Sequence, residues 1–148
     1  MSQDKHFIQI ADINASETAD WNDGKGFIPV WLAGSFDGGG YVISDLYINR
    51  PDGCCVGLFG SAYMAKIANI GLVDVHIVGR ESVGGIAGKS YLSDISSSFV
   101  TGSVTGDGRQ SSSGRCIYGV PEDAVCEVRG CRLSKPIIRL ASVKILCC

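Results

Sequence analysis

The 148-residue chain contains 45% hydrophobic and 19% charged residues and carries a net charge of −2. This balance provides no basic surface for a polyanion, so we expect no nucleic-acid binding. No run approaches the ~18 apolar residues of a membrane-spanning helix, so we also expect no membrane insertion. The 20 glycines are about twice the usual share of ~7% and favour short strands joined by tight corners.

The N-terminal part of the chain predicts one strand and a polar cap. Phe7-Ile8-Gln9-Ile10 has the apolar character of a strand. In the acidic segment 12–24 that follows, Ser16 is placed to cap a single helical turn, and Asn22-Asp23-Gly24 predicts a turn. Glu17 stands where a calcium loop of the EF-hand type needs glycine. We therefore predict no metal site and interpret the segment as a cap over the open end of the fold.

Two further stretches precede the most regular part of the sequence. Phe27-Ile28-Pro29-Val30-Trp31-Leu32 predicts a strand whose proline restricts it to an edge or a strand start. Phe36-Asp37-Gly38-Gly39-Gly40 predicts a corner and not a phosphate loop, because neither a helical pattern nor Lys-Ser/Thr follows it. The adjacent Cys54 and Cys55 are expected to point to opposite faces of a strand, one thiol buried and one exposed.

One pattern is then written twice. The first copy is Val56-Gly57-Leu58-Phe59-Gly60 and the second is Val83-Gly84-Gly85-Ile86-Ala87-Gly88. Their final glycines are 28 residues apart. Between the copies, Val73-Asp74-Val75-His76-Ile77 alternates apolar and polar side chains, as a half-buried strand does. A repeat of this length indicates one supersecondary unit stacked on its neighbours. The pattern predicts an all-β solenoid of roughly three to four short coils.

An earlier, partial copy of the repeat is predicted at residues 43–48. Its alignment with residues 67–72 and 95–100, at spacings of 24 and 28, places Ile43, Ile67 and Ile95 in one apolar ladder. The alignment also predicts columns on the outside of the coil. These columns would join Lys66 with Asp94, Arg50 with Asp74, and Tyr63 with Tyr91.

The paired Val-Gly signatures at 56–60 and 83–88 and the segments that follow them resemble the GLUG repeat of bacterial surface proteins. The run 34–48 is similar to the sequence that precedes such repeats, so the resemblance covers residues 7–106 or so. It implies a right-handed parallel β-helix within a large secreted or surface-anchored protein, often an adhesin-like one. It brings no catalytic residue and no cofactor.

Beyond residue 106 the composition changes. Residues 1–106 contain 6 basic and 11 acidic residues with two cysteines, whereas residues 107–148 contain 7 basic and 4 acidic residues with five cysteines. We predict a solenoid domain over 1–106 and a divergent tail over 107–148, which is either a C-terminal cap or a segment read out of its ancestral frame. The seven cysteines lack the paired spacing of a zinc site. A disulfide such as Cys116–Cys126 or Cys126–Cys131 is an alternative in an oxidising compartment.

Two classes of function follow from these patterns. The outward aromatic residues Tyr47, Tyr63 and Tyr91, with Trp21, could meet sugar rings or a partner protein, or could simply shield the corners of the coil. The enzymatic alternative, a polysaccharide-cleaving β-helix, needs clustered carboxylates. Asp45 aligns with Asn69 and Ser97, so no acidic cluster is expected, and we predict no catalysis.

The chain is therefore predicted to be a repeat segment of a bacterial surface protein, working as a spacer or an adhesive module. The alternative is a fragment of a carbohydrate-active β-helix enzyme. The expected partners are a glycan or a host or matrix protein, and open coil ends favour a homodimer. The N-terminus lacks the apolar run of a signal peptide. This leaves an intracellular protein or a piece of a longer extracellular one, and the resemblance favours the second.

Overall fold

A computed structural model describes residues 5–106. In this part of the chain every pair of named strands is parallel, and the chain winds into an all-β solenoid of about three coils, which confirms the predicted fold class. The first coil contains β1 (Lys5–Ile8), β2 (Ile13–Asn14), a 3₁₀ helix (Ser16–Asp20) and β3 (Val30–Leu32). The second contains β4 (Gly34–Asp37), β5 (Val42–Ser44), β6 (Tyr47–Asn49), β7 (Cys54–Val56) and β8 (Phe59–Tyr63). The third contains β9 (Lys66–Ala68), β10 (Gly71–Val78), β11 (Glu81–Val83) and β12 (Ala87–Tyr91), and β13 (Asp94–Ser96) and β14 (Phe99–Thr105) begin a fourth.

Corresponding strands of successive coils form the faces of the solenoid. Sheet A has the order β1-β4-β9-β13, and sheet B has the order β14-β10-β5-β2, with β6 also paired to β10. Sheet C has the order β12-β8-β3, and β7 pairs with β11. Each strand thus lies beside its counterpart one coil away, at the ~4.8 Å spacing of paired strands.

The core lies inside the coil and consists of apolar columns. Along β10 the predicted alternation is present from Val75 to Ile77, which are 2% and 0% exposed while His76 faces solvent. Val73 is only half-buried, because the register shifts between Leu72 and Val75 and Asp74 has a positive φ of 52°. In sheet A, Ile67 pairs with Ile95 on one side, as predicted, and with Phe36 on the other. Burying these columns provides the main driving force for folding.

The final glycine of each repeat signature is required by close packing inside the coil. A Cβ atom on Gly88 would lie 2.6 Å from the carbonyl carbon of Cys55, and one on Gly60 would lie 2.7 Å from the carbonyl oxygen of Cys55. Because no side chain fits such a gap, the strands carrying these glycines can approach β7 only if glycine is present. The repeat signature is therefore a packing signature.

The alignment of the partial copy was wrong. Ile43 pairs with Leu72, 29 residues away, and not with Ile67. The predicted column of Arg50 and Asp74 is also absent, because Asn49 pairs with Val78 and Arg50 therefore lies beyond Val78. The Arg50 guanidinium instead donates to the carbonyl oxygen of Phe27 at 3.2 Å.

The other predicted charge column is present as a register. Lys66 and Asp94 are Cα partners, which confirms their pairing. Their charged groups lie more than 4 Å apart and form no ion pair. Within residues 5–106, the ion pair that is present joins Arg80 and Glu81.

The adjacent cysteines also differ from expectation. Cys55 has a φ of 60°, which interrupts the strand alternation, and its sulfur lies 2.9 Å from that of Cys54. Both thiols therefore point to the same side, with Cys54 exposed and Cys55 half-buried. Burial, together with the hydrogen bond to Cys54, raises the pKa of the Cys55 thiol to about 11.

The N-terminal segment is built as part of the first coil. The strand and the turn predicted around Phe7 and Asn22 are present, but the 3₁₀ helix begins after Ala15 and no side chain, including that of Ser16, caps it. This segment lies beside β6, where Thr18 Oγ1 accepts a hydrogen bond from the Tyr47 amide at 2.9 Å. All four residues of β1 are exposed, so the described residues leave this edge of sheet A uncovered.

Three further sequence-based expectations concern the strand near Pro29, the corner after β4 and the C-terminal tail. The predicted strand over 27–32 is shorter than expected, since β3 begins at Val30, directly after Pro29, and lies at the edge of sheet C. The corner after β4 is closed by Asp37, whose Oδ1 accepts a hydrogen bond from the Gly39 amide at 2.9 Å. The predictions for residues 107–148, including the cap and both disulfides, lie outside the described residues.

Candidate functional site

The outer face of sheet C presents two rows of side chains. The register of β3, β8 and β12 places Trp31, Ser61 and Lys89 in one row, because Ser61 pairs with both of the others. Two residues further along the strands, Tyr63 pairs with Tyr91 in a second row. Since residues i and i+2 of a strand share a face, both rows point away from the core.

The two tyrosines form the aromatic ladder predicted from the repeat. Their ring centroids are 5.2 Å apart and their planes differ by 7°. The side chains are 44% and 53% exposed. Stacked rings of this kind add about 0.5–1.5 kcal/mol beyond burial, so the pair also stabilises the coil.

The ladder ends at the first coil. Leu32 pairs with Ala62, so the next residue, Ala33, stands at the level of Tyr63. Alanine carries no ring, and the face of Tyr63 turned toward β3 therefore has no stacking partner in that column. An open depression of about 700 Å³ extends across the outer face of all three strands and is lined by Trp31, Ser61, Tyr63, Lys89 and Tyr91.

The electrostatics of this depression are one-sided. Lys89 is the only ordinarily charged residue among the five that line it. The carboxylate of Glu81 is bound by Arg80 at 3.3 Å, and no described carboxylate lies within 4 Å of the Lys89 ammonium. Aromatic rings present a negative face and a positive edge. The depression therefore combines a flat aromatic surface with an unpaired positive charge.

The structure separates the predicted binding residues. Tyr63 and Tyr91 lie together on sheet C, whereas Tyr47 lies on β6, which pairs with β10 of sheet B, and stacks on His76 with centroids 5.2 Å apart. Trp21 follows the 3₁₀ helix and is 47% exposed.

Sequence reasoning did not single out Trp31, Ser61 or Lys89 as site residues. A period of two leads from the tyrosines to Ser61 and Lys89, so that signal was present in the sequence. Trp31 joins them only through the register of β3 on β8.

The acidic residues are arranged differently from the prediction. Ser44 pairs with Val73 and Tyr47 pairs with His76, which places Asp45 one coil away from Asp74. Both aspartates are exposed and have positive φ angles. The expected alignment of Asp45 with Asn69 and Ser97 was therefore wrong, and two carboxylates share a corner.

Within residues 5–106, no three side chains of His, Cys, Asp or Glu gather closely enough to hold a metal ion. Over the same residues, the fold contains no helix that is long and apolar enough to span a bilayer.

The fold and the aromatic face together define a short β-solenoid segment with an open groove on the outer face of sheet C. Among curated proteins, the chain is similar to halomucin from Haloquadratum walsbyi, with 40% identity over 105 residues. The match spans 68% of this chain and 1% of halomucin, so it concerns a very small part of a much longer protein. No protein-family model and no solved structure matches the chain.

Proposed function

We propose that this chain is a repeat segment of a surface protein, in which the solenoid acts as a spacer that presents an adhesive face. The observation that carries the proposal is the uncovered ring of Tyr63, which lies on a regular outer sheet beside Trp31 and Lys89. A solenoid of this kind holds such a face rigidly, because each coil packs on its neighbour. The similarity to a small part of halomucin supports the assignment to a longer protein.

Membership of the GLUG repeat family is part of this proposal. Its support is that the final glycines of the two signatures, Gly60 and Gly88, have the same packing role against Cys55. A bacterial source stays a prediction, since halomucin comes from an archaeon. We assign the chain to the extracellular side or cell surface as part of a larger protein.

The proposed partners are a glycan or a host or matrix protein on sheet C, and a second copy at the open coil end. The proposed contact at the coil end is supported by the exposure of β1, since Phe7 and Ile8 are 47% and 71% exposed. An uncovered strand edge pairs readily with another strand.

Sedimentation of the purified chain, compared with that of an Ile8→Lys variant, tests the dimer. A monomer at all concentrations would contradict it.

Binding of the full chain to an array of immobilised glycans and matrix proteins tests the adhesive role. We expect saturable binding that is lost in the double variant Tyr63→Ala/Tyr91→Ala and kept in Tyr47→Ala, which removes a stacked tyrosine from another sheet. Binding that survives the double variant would place adhesion elsewhere. No binding to any immobilised partner would leave the spacer role alone.

A second candidate function is a carbohydrate-active β-helix enzyme, and the juxtaposition of Asp45 and Asp74 favours it. Two carboxylates are the usual equipment for cleaving glycosidic bonds. Release of reducing ends from a panel of polysaccharides, measured for the wild type and for Asp45→Asn/Asp74→Asn, tests this function. Cleavage that disappears in the variant would replace the non-catalytic proposal.

A further inference from the structure

We propose that the groove beside Tyr63 binds an acidic saccharide, with a sugar ring on the uncovered tyrosine face and its carboxylate or sulfate on Lys89. This inference rests on the proposed adhesive function and gives its ligand a chemical class. Its basis is the juxtaposition of an open ring face, an indole and an unpaired ammonium in one depression.

The shape of the groove suits a small rigid ligand. Its volume of about 700 Å³ falls within the ~300–1,000 Å³ of small-molecule sites. The stacked Tyr91 supports Tyr63 from the far side, with ring planes only 7° apart. The ligand therefore meets a ring that is already held in place, and little conformational freedom is lost on binding.

The ring face selects a saccharide among small anions. One side of a pyranose presents several C–H groups and little else, and these weakly positive hydrogens match the negative face of an aromatic ring. Trp31, which is 65% exposed, supplies a second aromatic surface on the first coil. Ser61 lies between Trp31 and Lys89 in the row and offers a hydroxyl to the sugar's own hydroxyls.

Lys89 selects an acidic sugar. It lies one strand and two residues away from Tyr63, which corresponds to about 8 Å between Cα atoms at the standard strand spacing and rise. A sugar ring on the face of Tyr63 turned toward β3 lies one strand spacing further from β12, about 12 Å from the Lys89 Cα atom. The extended lysine side chain and a carboxylate projecting from the ring span this distance together. Because no described carboxylate competes for this ammonium, an anionic ligand gains a charge-assisted hydrogen bond that a neutral sugar lacks.

The test compares an acidic saccharide with its neutral methyl ester, which keeps the same sugar rings. Titration calorimetry of the full chain with tetragalacturonate and with its methyl ester should show tighter binding of the acid form, by about tenfold at low salt. Raising the ionic strength should reduce this preference. Equal affinity for the two forms would overturn the assignment of an acidic ligand while leaving an adhesive function intact.

Three variants locate the site. Lys89→Gln should bind the two saccharides equally, Tyr63→Ala should bind neither, and Lys66→Gln, an exposed lysine on sheet A, should behave as wild type. Thermal melts monitored by circular dichroism establish that each variant is folded. Wild-type affinity in Lys89→Gln would overturn the inference by itself, without relying on Tyr63→Ala.

Absence of binding to either saccharide would overturn the acidic-saccharide inference. The array of glycans and matrix proteins then decides separately whether the adhesive proposal stands. An acidic peptide that binds through Lys89 would likewise replace the saccharide as the ligand.

Discussion

The second and third coils repeat each other closely, whereas the first coil departs from them, and the candidate site lies where they meet. In the regular coils the same columns recur, as Gly60 with Gly88 and Tyr63 with Tyr91. The first coil lacks the Val-Gly signature and has Ala33 at the level of the tyrosines. Repetition thus closes columns and stabilises the fold, while an interruption leaves a surface uncovered for a ligand.

The largest expected loss of stability in the regular coils comes from adding a side chain at their closest backbone contact. Gly88→Ala would place a Cβ 2.5 Å from the Ser82 carbonyl oxygen and 2.6 Å from the Cys55 carbonyl carbon. We expect it to lower the free energy of unfolding by about 3 kcal/mol, measured by urea denaturation. The matched control is Gly24→Ala in the first coil, where no atom lies within 4 Å but φ is +77°. Its cost should be about 1 kcal/mol, and equal losses would contradict the packing role of Gly88.

A milder test probes the core column. Ile67 is fully buried between Phe36 and Ile95, so Ile67→Val should lower the free energy of unfolding by about 1 kcal/mol. Ile10 precedes the second strand of the first coil and is 83% exposed, so Ile10→Val should have almost no effect. A larger loss of unfolding free energy in Ile10→Val than in Ile67→Val would show that Ile10 is buried in solution.

The interruption itself can be repaired. Ala33→Tyr should extend the stacked column of Tyr63 and Tyr91, raise the free energy of unfolding by about 0.5–1 kcal/mol, and abolish binding in the groove. Ala33→Leu adds apolar surface without a ring and serves as the control for stability. Retained saccharide binding in Ala33→Tyr would show that the open face of Tyr63 is not the binding surface.

The smallest effect concerns a corner that joins regular coils to each other. Hydrogen bonds from the Gly39 amide at 2.9 Å and from Asn69 Nδ2 at 3.1 Å lower the pKa of Asp37 below its usual value of 3.8. A lowered folded pKa means that Asp37 stabilises the fold above its unfolded pKa, and that this contribution is lost as the pH falls through the folded pKa.

The pKa of Asp37 can be followed directly by NMR titration. In Asn69→Ala the pKa should rise toward its usual value but stay below it, because the Gly39 amide is the larger cause of the shift. An unchanged pKa would mean that Asn69 does not bind this carboxylate in solution.

The sequence was sufficient for the solenoid and for the 28-residue register of β12 on β8, because the spacing of Gly57 and Gly60 recurs in Gly85 and Gly88 where these strands approach β7. It was insufficient for the partial copy because each coil has two similar corners. Residues 43–46, 67–70 and 72–75 all place an Asp or Asn with positive φ two residues after a buried Ile or Leu. Aligning residues 43–46 with the first corner, 67–70, gave the predicted spacing of 24 residues. In the structure, strand pairing aligns residues 43–46 with the second corner, 72–75.

The site was predictable to a smaller extent. Tyr63 and Tyr91 followed directly from the repeat, and their ladder is present. Trp31 could not be joined to them, because the register of β3 on β8 shifts between Val30 and Trp31. The distance of Tyr47 from the other tyrosines also depends on strand pairing that aromatic composition does not encode.

The parallel pairing of each strand with its counterpart one coil away also restricts how such a chain can evolve. Inserting a single residue into a strand would turn every following side chain to the opposite face and place core residues in water. Duplicating one whole coil, by contrast, would keep every column in line and add another Lys89 and Tyr91 to the outer face of sheet C. Lengthening by complete coils would therefore be tolerated, and it would multiply the surface presented to a polymeric ligand.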